Sequence, residues 1–476
     1  MGLDIEKNQF ARLFHPRSVA VVGASDNPDS PGYDYVKSLR VFNFSGSVYP
    51  IHPRAENIEG YKVFKSLADI SEPIDLLISC ISAEQVPALI KESMEHDIPF
   101  LHLFTGKLSE TGSTNAKMLE EQILQLAKSA HIRLLGPNGM GIHYAASGLS
   151  FRPDLPNFQG DIGLLSQSGN NAVELLTRGT ARGLKFGKVV SYGNGSDISA
   201  AELLEYLGTD RQTNIIAIYM EGLAAGREFF KALKVAAAKK PVVIHKGGRT
   251  ASGASAAASH TAALAGENAV WESVIRQGGG YVTKTRDETL DLLIALSLLS
   301  PIKGKRAAVV GGGGGRTVQA ADCCEENQIK LPKLPNEVNK IIDERAPSLT
   351  NWINNPVDQS ILAGSGFSSH GLLSLMLKST TYDFGIANVG EEWFLGRPDA
   401  KKRLKHACIR LIETIKDSTL PVAVIYGATE TVQKDQRILI DEMRELLVAE
   451  NLAVFPTIER ATFTIGQLLT TSKLSK

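Results

Sequence analysis

The sequence predicts an α/β protein built from doubly wound parallel sheets, and three observations predict it. Short runs rich in Val, Ile and Leu, such as SVAVV at 18–22, IGLL at 162–165 and IIAIYM at 215–220, alternate with segments of helical periodicity. These runs give way to glycine, serine or a carboxylate, at Gly23, Ser166 and Glu221, as strands do where they pass into loops. A chain of 476 residues is also too long for one ordinary core, so two to four domains are expected. The expected architecture is an N-terminal Rossmann-like domain (1–145) followed by two flavodoxin-like domains (146–299 and 300–476).

Composition excludes several classes. Acidic and basic side chains balance at 51 each, so there is no global basic footprint for nucleic acid and no acidic solvating tail. The opening MGLDIEKNQF carries charges where a secretory signal would be apolar, and no run reaches the length of a membrane span. Cys80, Cys323, Cys324 and Cys408 have neither zinc-site spacing nor disulfide density. A soluble cytoplasmic protein without a structural metal is expected.

In the first domain, strands are expected at 17–23, 47–51, 75–81, 100–104 and 132–135, with helices between them. Ligands of such sheets sit beyond the carboxyl ends of the strands. That edge holds Gly23 and Ser25, then Arg54, then Ser82, then Thr105. Helix-start N–H groups and Arg54 suit a phosphate-bearing ligand. The loop GASDNP has only the first glycine of the dinucleotide fingerprint, which disfavours a plain dehydrogenase and leaves a ligand such as coenzyme A open; the cleft of a domain like this can also go unused.

The domain ends in LLGPNGMG at 134–141, a tight loop in which Asn138 serves either backbone or ligand. From Gly160 the pattern restarts. A strand ending near Leu165 runs into Ser166, Gln167, Ser168, Gly169 and Asn170, where a helix begins and leaves N–H groups for an anion or for a simple cap. Ser196 or Asp197 is expected to cap the helix that follows the next strand. Glu221 falls at a strand end, where its carboxylate orients an imidazole or caps a helix. After the strand at 241–245 comes KGGRTASGASAAASHTAALAG, a stretch of small residues around one imidazole, His260. Two readings fit it: a mobile Gly/Ala/Ser loop, or a nucleophilic imidazole on a loop carried by a rigid scaffold.

Eight motifs stand in register: SVAVVGAS (18–25), VYPIHPRAENIEG (48–60), LLGPNGMG (134–141), LLSQSGN (164–170), YMEG (219–222), KGGRT (246–250), ASHTAALAG (258–266) and NNPVD (354–358). With these the chain resembles the nucleoside-diphosphate-forming (ADP-forming) acyl-CoA synthetases, relatives of the succinyl-CoA ligase alpha subunit. The resemblance implies that the first domain binds CoA, that Ser166–Asn170 holds the phosphate of a phosphohistidine, that His260 is the phosphorylated residue and that Glu221 orients it. It implies the reaction of a carboxylic acid, CoA and ATP to acyl-CoA, ADP and phosphate, through an acyl phosphate. An imidazole stabilised by a carboxylate and helix-start N–H groups is chemically suited to that role.

The chain departs from the family pattern at four places. Gly139 stands where a cysteine, serine or threonine is common, which is expected to enlarge a corner near the acyl group. Asn170 adds an amide beside the phosphate helix, and Ala262 replaces a hinge-like glycine. Arg316 follows the glycine run GGGGG at 311–315, where it is a candidate for an anionic substrate tail. In the third domain, helix and strand alternate to the end, and the basic run at 401–406 interleaves with apolar residues as the wet face of a helix. No stretch has room for the ATP-grasp module that the family uses for ATP and Mg2+. The resemblance therefore implies a separate beta-type partner, in an αβ or α2β2 assembly. The alternatives are a CoA-binding regulatory subunit without catalysis of its own, or a CoA-dependent lyase or acyltransferase.

Overall fold

The computed structural model describes residues 9–261, 267–299 and 301–471; for 257–261 and 471 it describes the backbone only. The chain divides into two compact units, Met1–Thr289 and Leu290–Lys476. After the short helix α1 (Ala11–Phe14), the first unit opens with β1 (Ser18–Val22), α2 (Pro31–Val41) and β2 (Ser47–Ile51). A small antiparallel hairpin, β3 (Asn57–Ile58) and β4 (Tyr61–Lys62), precedes β5 (Leu76–Ser79), α3 (Val86–Ser93), β6 (Phe100–Leu103), α4 (Thr114–Ser129) and β7 (Arg133–Leu135). The five long strands pair in parallel in the order β2-β1-β5-β6-β7. Their inner positions, among them Ala20, Leu77, Leu101 and Leu134, are buried against Val86, Ile90 and Ile123 of the flanking helices. Strand order reverses between β1 and β5, and this opens a crevice at their carboxyl ends.

The second sheet begins with β8 (Gly141–His143), an antiparallel edge strand, and continues through β9 (Ile162–Ser166), β10 (Phe186–Ser191), β11 (Ile215–Met220), β12 (Val242–Lys246) and β13 (Tyr281–Thr283). Its order is β13-β12-β11-β9-β10-β8. Helices α5 (Gly169–Ala181), α6 (Ala200–Thr209), α7 (Gly226–Ala237), α8 (Ala251–Thr261), α9 (Asn268–Gln277) and α10 (Arg286–Leu298) follow its strands. Every residue of β9, β10 and β11 is buried, as expected of parallel strands covered on both faces.

The two sheets of the first unit meet along the loop 136–140. Asn194 N donates to Pro137 O (2.9 Å), Ser196 N to Gly136 O (3.2 Å) and Ile198 N to Leu134 O (3.1 Å). Gly193 makes this approach possible: at φ +59° its place for a Cβ lies 2.1 Å from Pro137 O. Gly139 is packed as closely, with a Cβ position 2.6 Å from Ser191 O. The corner expected to be enlarged by its missing side chain is therefore filled by the backbone of β10's end. His102, fully buried on β6, bonds Gly139 O through Nε2 (2.9 Å). Arg133 reaches Asp197 and Glu202 across the seam (3.1 and 2.9 Å). This corrects the expected helix cap. Asp197 is taken by Arg133 and by Leu134 N (2.6 Å), and Ser196 Oγ bonds Glu120, so Ser199 caps α6 in a capping box with Glu202.

The second unit holds β14 (Ala307–Val310), α11 (Gly314–Glu326), α12 (Asn336–Arg345), α13 (Ser369–Leu377), β15 (Phe384–Asn388), α14 (Ala400–Lys416), β16 (Val422–Ile425), α15 (Lys434–Ala449), β17 (Ala453–Phe455) and α16 (Ile458–Thr471). The four strands are parallel in the order β14-β15-β16-β17. Asn355 braces the loop beside β14: its Oδ1 accepts from Val309 N (2.9 Å), and its Nδ2 donates to Ala307 O and Pro332 O (2.8 and 3.0 Å). In the basic run of α14 only Leu404 turns inward, and its charged neighbours are exposed. Among the described residues no helix is long and apolar enough to cross a membrane.

Two outcomes follow from the seam. Gly193→Ala is expected to cost about 2–5 kcal/mol, the sum of overpacking and left-handed backbone strain, read as a lowered urea midpoint. Burial depresses His102 to about 4 in the folded chain, against about 6.5 unfolded. The unfolded chain thus binds the extra proton between these values. The contribution of neutral His102 is complete above pH 6.5 and is lost as pH falls towards 4, by roughly 3 kcal/mol. His143 and His245, likewise held near 4 by burial, add to the same loss. Urea unfolding at a series of pH values checks this: a flat free energy from pH 7 to 4.5 contradicts it.

Candidate functional site

In the second sheet, β9 leads to β10 on one side while β11 pairs on the other, so the strand order reverses between β9 and β11. The crevice at such a reversal is the natural ligand position of an open α/β sheet. Here the two strand ends are tied by one amide. Gln167 is buried, its N donates to Tyr219 O (3.0 Å), and its Oε1 accepts from Glu221 N (2.7 Å) and Gly222 N (3.2 Å). Tyr219 Oη donates to Glu221 Oε1 (2.9 Å). The carboxylate is thus held at the edge of the crevice by its own backbone and by a phenol two residues back on the same face of the strand.

Beside it begins α5. Ser166 Oγ donates to Ser168 O (2.6 Å), and Ser168 Oγ accepts from Asn171 N (3.4 Å) as the helix cap. Gly169 lies against Met140, where a Cβ would stand 2.4 Å from Met140 Cγ, and Asn170 is exposed. Arg286 on α10 reaches Asn171 Oδ1 (3.3 Å) and Glu174 (2.6 Å). On the other side, β12 ends at Lys246, whose Nζ lies 5.3 Å from the centre of the Trp271 ring and donates to Gly247 O (2.5 Å). Burial lowers the Lys246 ammonium pKa, and the Glu221 carboxylate opposes this. A helix start, a fixed carboxylate and two cations therefore share one strand edge, an arrangement suited to a transferable anion next to a proton-holding group.

His260 lies in the last turn of α8, and its side chain, like residue 262, falls outside the described residues. The stretch read as a loop is helical from 251 to 261. Thr250 Oγ1 caps it by accepting from Gly253 N (3.1 Å), and alanine, its commonest residue, is the best helix former. This helix packs against the turn Ser109–Thr111.

The residues expected at the first sheet's edge are placed along its crevice. Gly23 adopts φ +79° with its Cβ position 3.1 Å from the Cys80 carbonyl. Ser25 Oγ accepts from Asn27 N (3.1 Å), Ser82 is exposed and bonds Gln85 (3.2 Å), and Arg54 is exposed. Thr105 is buried with its hydroxyl spent on Ile81 O (2.8 Å), and its carbonyl accepts from Asn138 N (2.9 Å). Asn138 and Gly139 belong to the seam. Arg316 is in the second unit, 3.7 Å from Glu392. Among the described residues no cluster of three or more His, Cys, Asp or Glu could hold a metal ion. Sequence reasoning named the loop around Gln167 and missed its role. The signal for Tyr219 was its spacing of two from Glu221 on a strand.

Residues 17–145 match the family described as a CoA binding domain, and residues 159–296 match the succinyl-CoA ligase like flavodoxin domain. The chain is 30% identical over 427 residues to the acetate–CoA ligase (ADP-forming) II subunit alpha of Pyrococcus furiosus, covering 90% of this chain and 92% of that one. It is 36% identical over 349 residues to acetate–CoA ligase (ADP-forming) I of Archaeoglobus fulgidus, covering 73% of this chain and 50% of the relative. It thus spans about half the length of that protein. Among solved structures it is similar to the Ca. Korarchaeum cryptofilum dinucleotide forming acetyl-coenzyme A synthetase 1 in complex with phosphate and ADP. The TM-score is 0.82 at 28% identity, over 98% of this chain and 97% of that chain.

The geometry around Gln167 makes a prediction of its own. Gln167→Leu strands two N–H groups and is expected to cost about 1–3 kcal/mol, whereas Gln167→Glu keeps an acceptor oxygen and costs less. Thermal unfolding of the two variants checks the order; equal losses contradict it.

Proposed function

The chain belongs to the family of ADP-forming acyl-CoA ligases, on the side of their alpha subunits, and from that membership we propose that it joins a carboxylic acid to CoA with ATP, releasing ADP and phosphate. His260 takes the phosphoryl group from ATP. A carboxylate oxygen of the acid then attacks that phosphorus and frees the imidazole. The CoA sulfur, having lost its proton, adds to the carbonyl of the acyl phosphate, and inorganic phosphate leaves. The observation that carries this reading is that β9, β11 and β12 are neighbours, and the segments leaving their carboxyl ends bear Ser166–Asn170, Glu221 and the helix of His260.

In this reading each residue has a defined task. One oxygen of Glu221 is held by Tyr219, and the other accepts the N–H of the imidazole, fixing the tautomer whose opposite nitrogen is the nucleophile. The backbone N–H groups at Gly169 and Asn170, with the Ser166 and Ser168 turn, hold the phosphoryl oxygens. CoA lies along the crevice of the first sheet, its phosphates met by the start of α2 and by Arg54, with Gly23, Ser25, Ser82 and Thr105 lining the path. Gly23 turns the chain into that crevice at φ +79°, packed against the Cys80 backbone. Asn138 and Gly139 stand beside the acyl end, and Arg316, in the second unit, is a candidate for an anionic substrate tail. The domains divide at 145 and 299. ATP and Mg2+ bind an ATP-grasp beta partner in an αβ or α2β2 assembly. Supporting this are the half-length match to the Archaeoglobus relative and the near-full match to a protein named as a subunit alpha.

Incubation with the partner and Mg-ATP is expected to add one acid-labile phosphoryl group to this chain, discharged by CoA plus the acid. His260→Ala abolishes it, and Glu221→Gln slows it at least ~100-fold, the scale of a lost acid–base or electrostatic contact. Intact-mass analysis reads both. An unlabelled wild-type chain in a complex that still binds CoA would overturn the ligase reading in favour of a regulatory subunit.

A further inference from the structure

In the second unit a cavity of about 510 Å³ opens at the carboxyl ends of β14 and β15, a size usual for a small-molecule pocket. β14 is flanked on one side by β15 and on the other by the bridge from Val310 to Val357, so the chain leaves these two strand ends in opposite directions. That is where an open parallel sheet receives a ligand. The apolar wall carries Phe367, Trp393, Phe394 and Leu411. All three rings are only half-buried, so part of each remains open. The indole is held in place by two glycines: a Cβ at Gly313 would stand 2.9 Å from its Cζ2, and one at Gly390 would stand 3.2 Å from its Cδ1.

The polar wall is rich in donors. Asn388 Oδ1 accepts from Gly390 N (2.9 Å), which leaves its Nδ2 to give. Gln359 Oε1 accepts from Ser369 Oγ (3.2 Å), which leaves its Nε2. Arg397 lines the rim from an exposed position, and among the described residues its guanidinium has no carboxylate partner. His370, in the first turn of α13, lines the cavity too. Burial, then Arg410 and His406, lower its pKa, so at neutral pH it is an uncharged imidazole with one N–H to give. Among the described residues no Asp or Glu lines the cavity. The sealed side-chain atoms without a partner are elsewhere, at Ser79, Tyr192, Asn194, His245 and Asn268, so these N–H groups are open to a molecule that enters.

Ring faces, N–H donors and an unpaired cation with no carboxylate beside it are the complement of one kind of molecule. We infer that this cavity binds an aromatic carboxylate, its ring among Phe367, Trp393 and Phe394 and its carboxylate paired with Arg397, with the Asn388 and Gln359 amides as further donors. An amine would meet no counter-charge there, and a purely aliphatic acid would forgo the ring contacts. The inference goes beyond the ligase reading and does not depend on it, since binding here needs neither nucleotide nor CoA.

Fluorine NMR titration of the full chain, without nucleotide, CoA or partner, tests this with 4-fluorobenzoate and the uncharged 4-fluorobenzamide as probes. The acid is expected to bind wild type about ten-fold more tightly than the amide, the scale of hydrogen bonds to a charged group. Arg397→Met, at an exposed position with no ion pair to lose, is expected to erase that difference and leave amide binding unchanged. Ala407→Phe, which fills the cavity from α14, is expected to weaken both probes about ten-fold or more, by taking the space they need. Unlabelled cyclohexanecarboxylate, without a ring face, is expected to displace the acid about three-fold less well than benzoate does. Absence of binding, equal affinity for acid and amide, or a difference that survives Arg397→Met overturns the inference. The ligase reading stands or falls separately, on phosphoryl labelling of the wild-type complex by Mg-ATP.

Discussion

Everything in the first unit depends on how closely two backbones approach at Gly193. The carbonyl of Pro137 occupies the space a side chain would need there, and the three N–H bonds that follow fasten the end of one sheet to the loop leaving another. Because the contact is backbone on backbone, it has little freedom to adjust. It sets the distance between the crevice of the first sheet and that of the second. A thioester synthesis that brings CoA from one crevice to a phosphoryl group in the other needs that distance constant.

The second crevice works with few charges for the anion it is proposed to hold. Lys246 is largely occupied by Trp271 and by its own neighbour's carbonyl, and Arg286 by Glu174. The helix start of α5 supplies the remaining positive potential without a mobile cation. A phosphoryl group held there, as proposed, would be positioned without an ion pair that must be broken for it to leave.

Much of this was legible in the sequence. Strands such as IIAIYM announce themselves by length and β-branching, and Glu221 could be placed at a strand end by counting. The helix cap was misread because Ser196, Asp197 and Ser199 are all competent caps locally. Only the distant Arg133 and Glu120, which claim the first two, decide for Ser199. The corner at Gly139 was misjudged for a related reason: a missing side chain makes room only where no backbone comes in to fill it. The His260 stretch was read as a loop because small residues invite that reading, although alanines on a threonine cap favour a helix. Tertiary partners and backbone approach leave no period in a sequence.

The helix α8 changes what a shuttle would look like. Its eleven residues make a rod about 16 Å long, with glycines 247 and 248 at its foot, the second at φ +66°, and the backbone of residue 260 near its tip. A tether of loop would have to be recaptured from many conformations at each visit. A rod hinged at its foot sweeps an arc with only a few torsions free, so its tip meets a docking point at high effective concentration. In that geometry the reach of the phosphoryl carrier is set by helix length, and inserting or deleting a single residue would turn the histidine by about 100° as well as moving it.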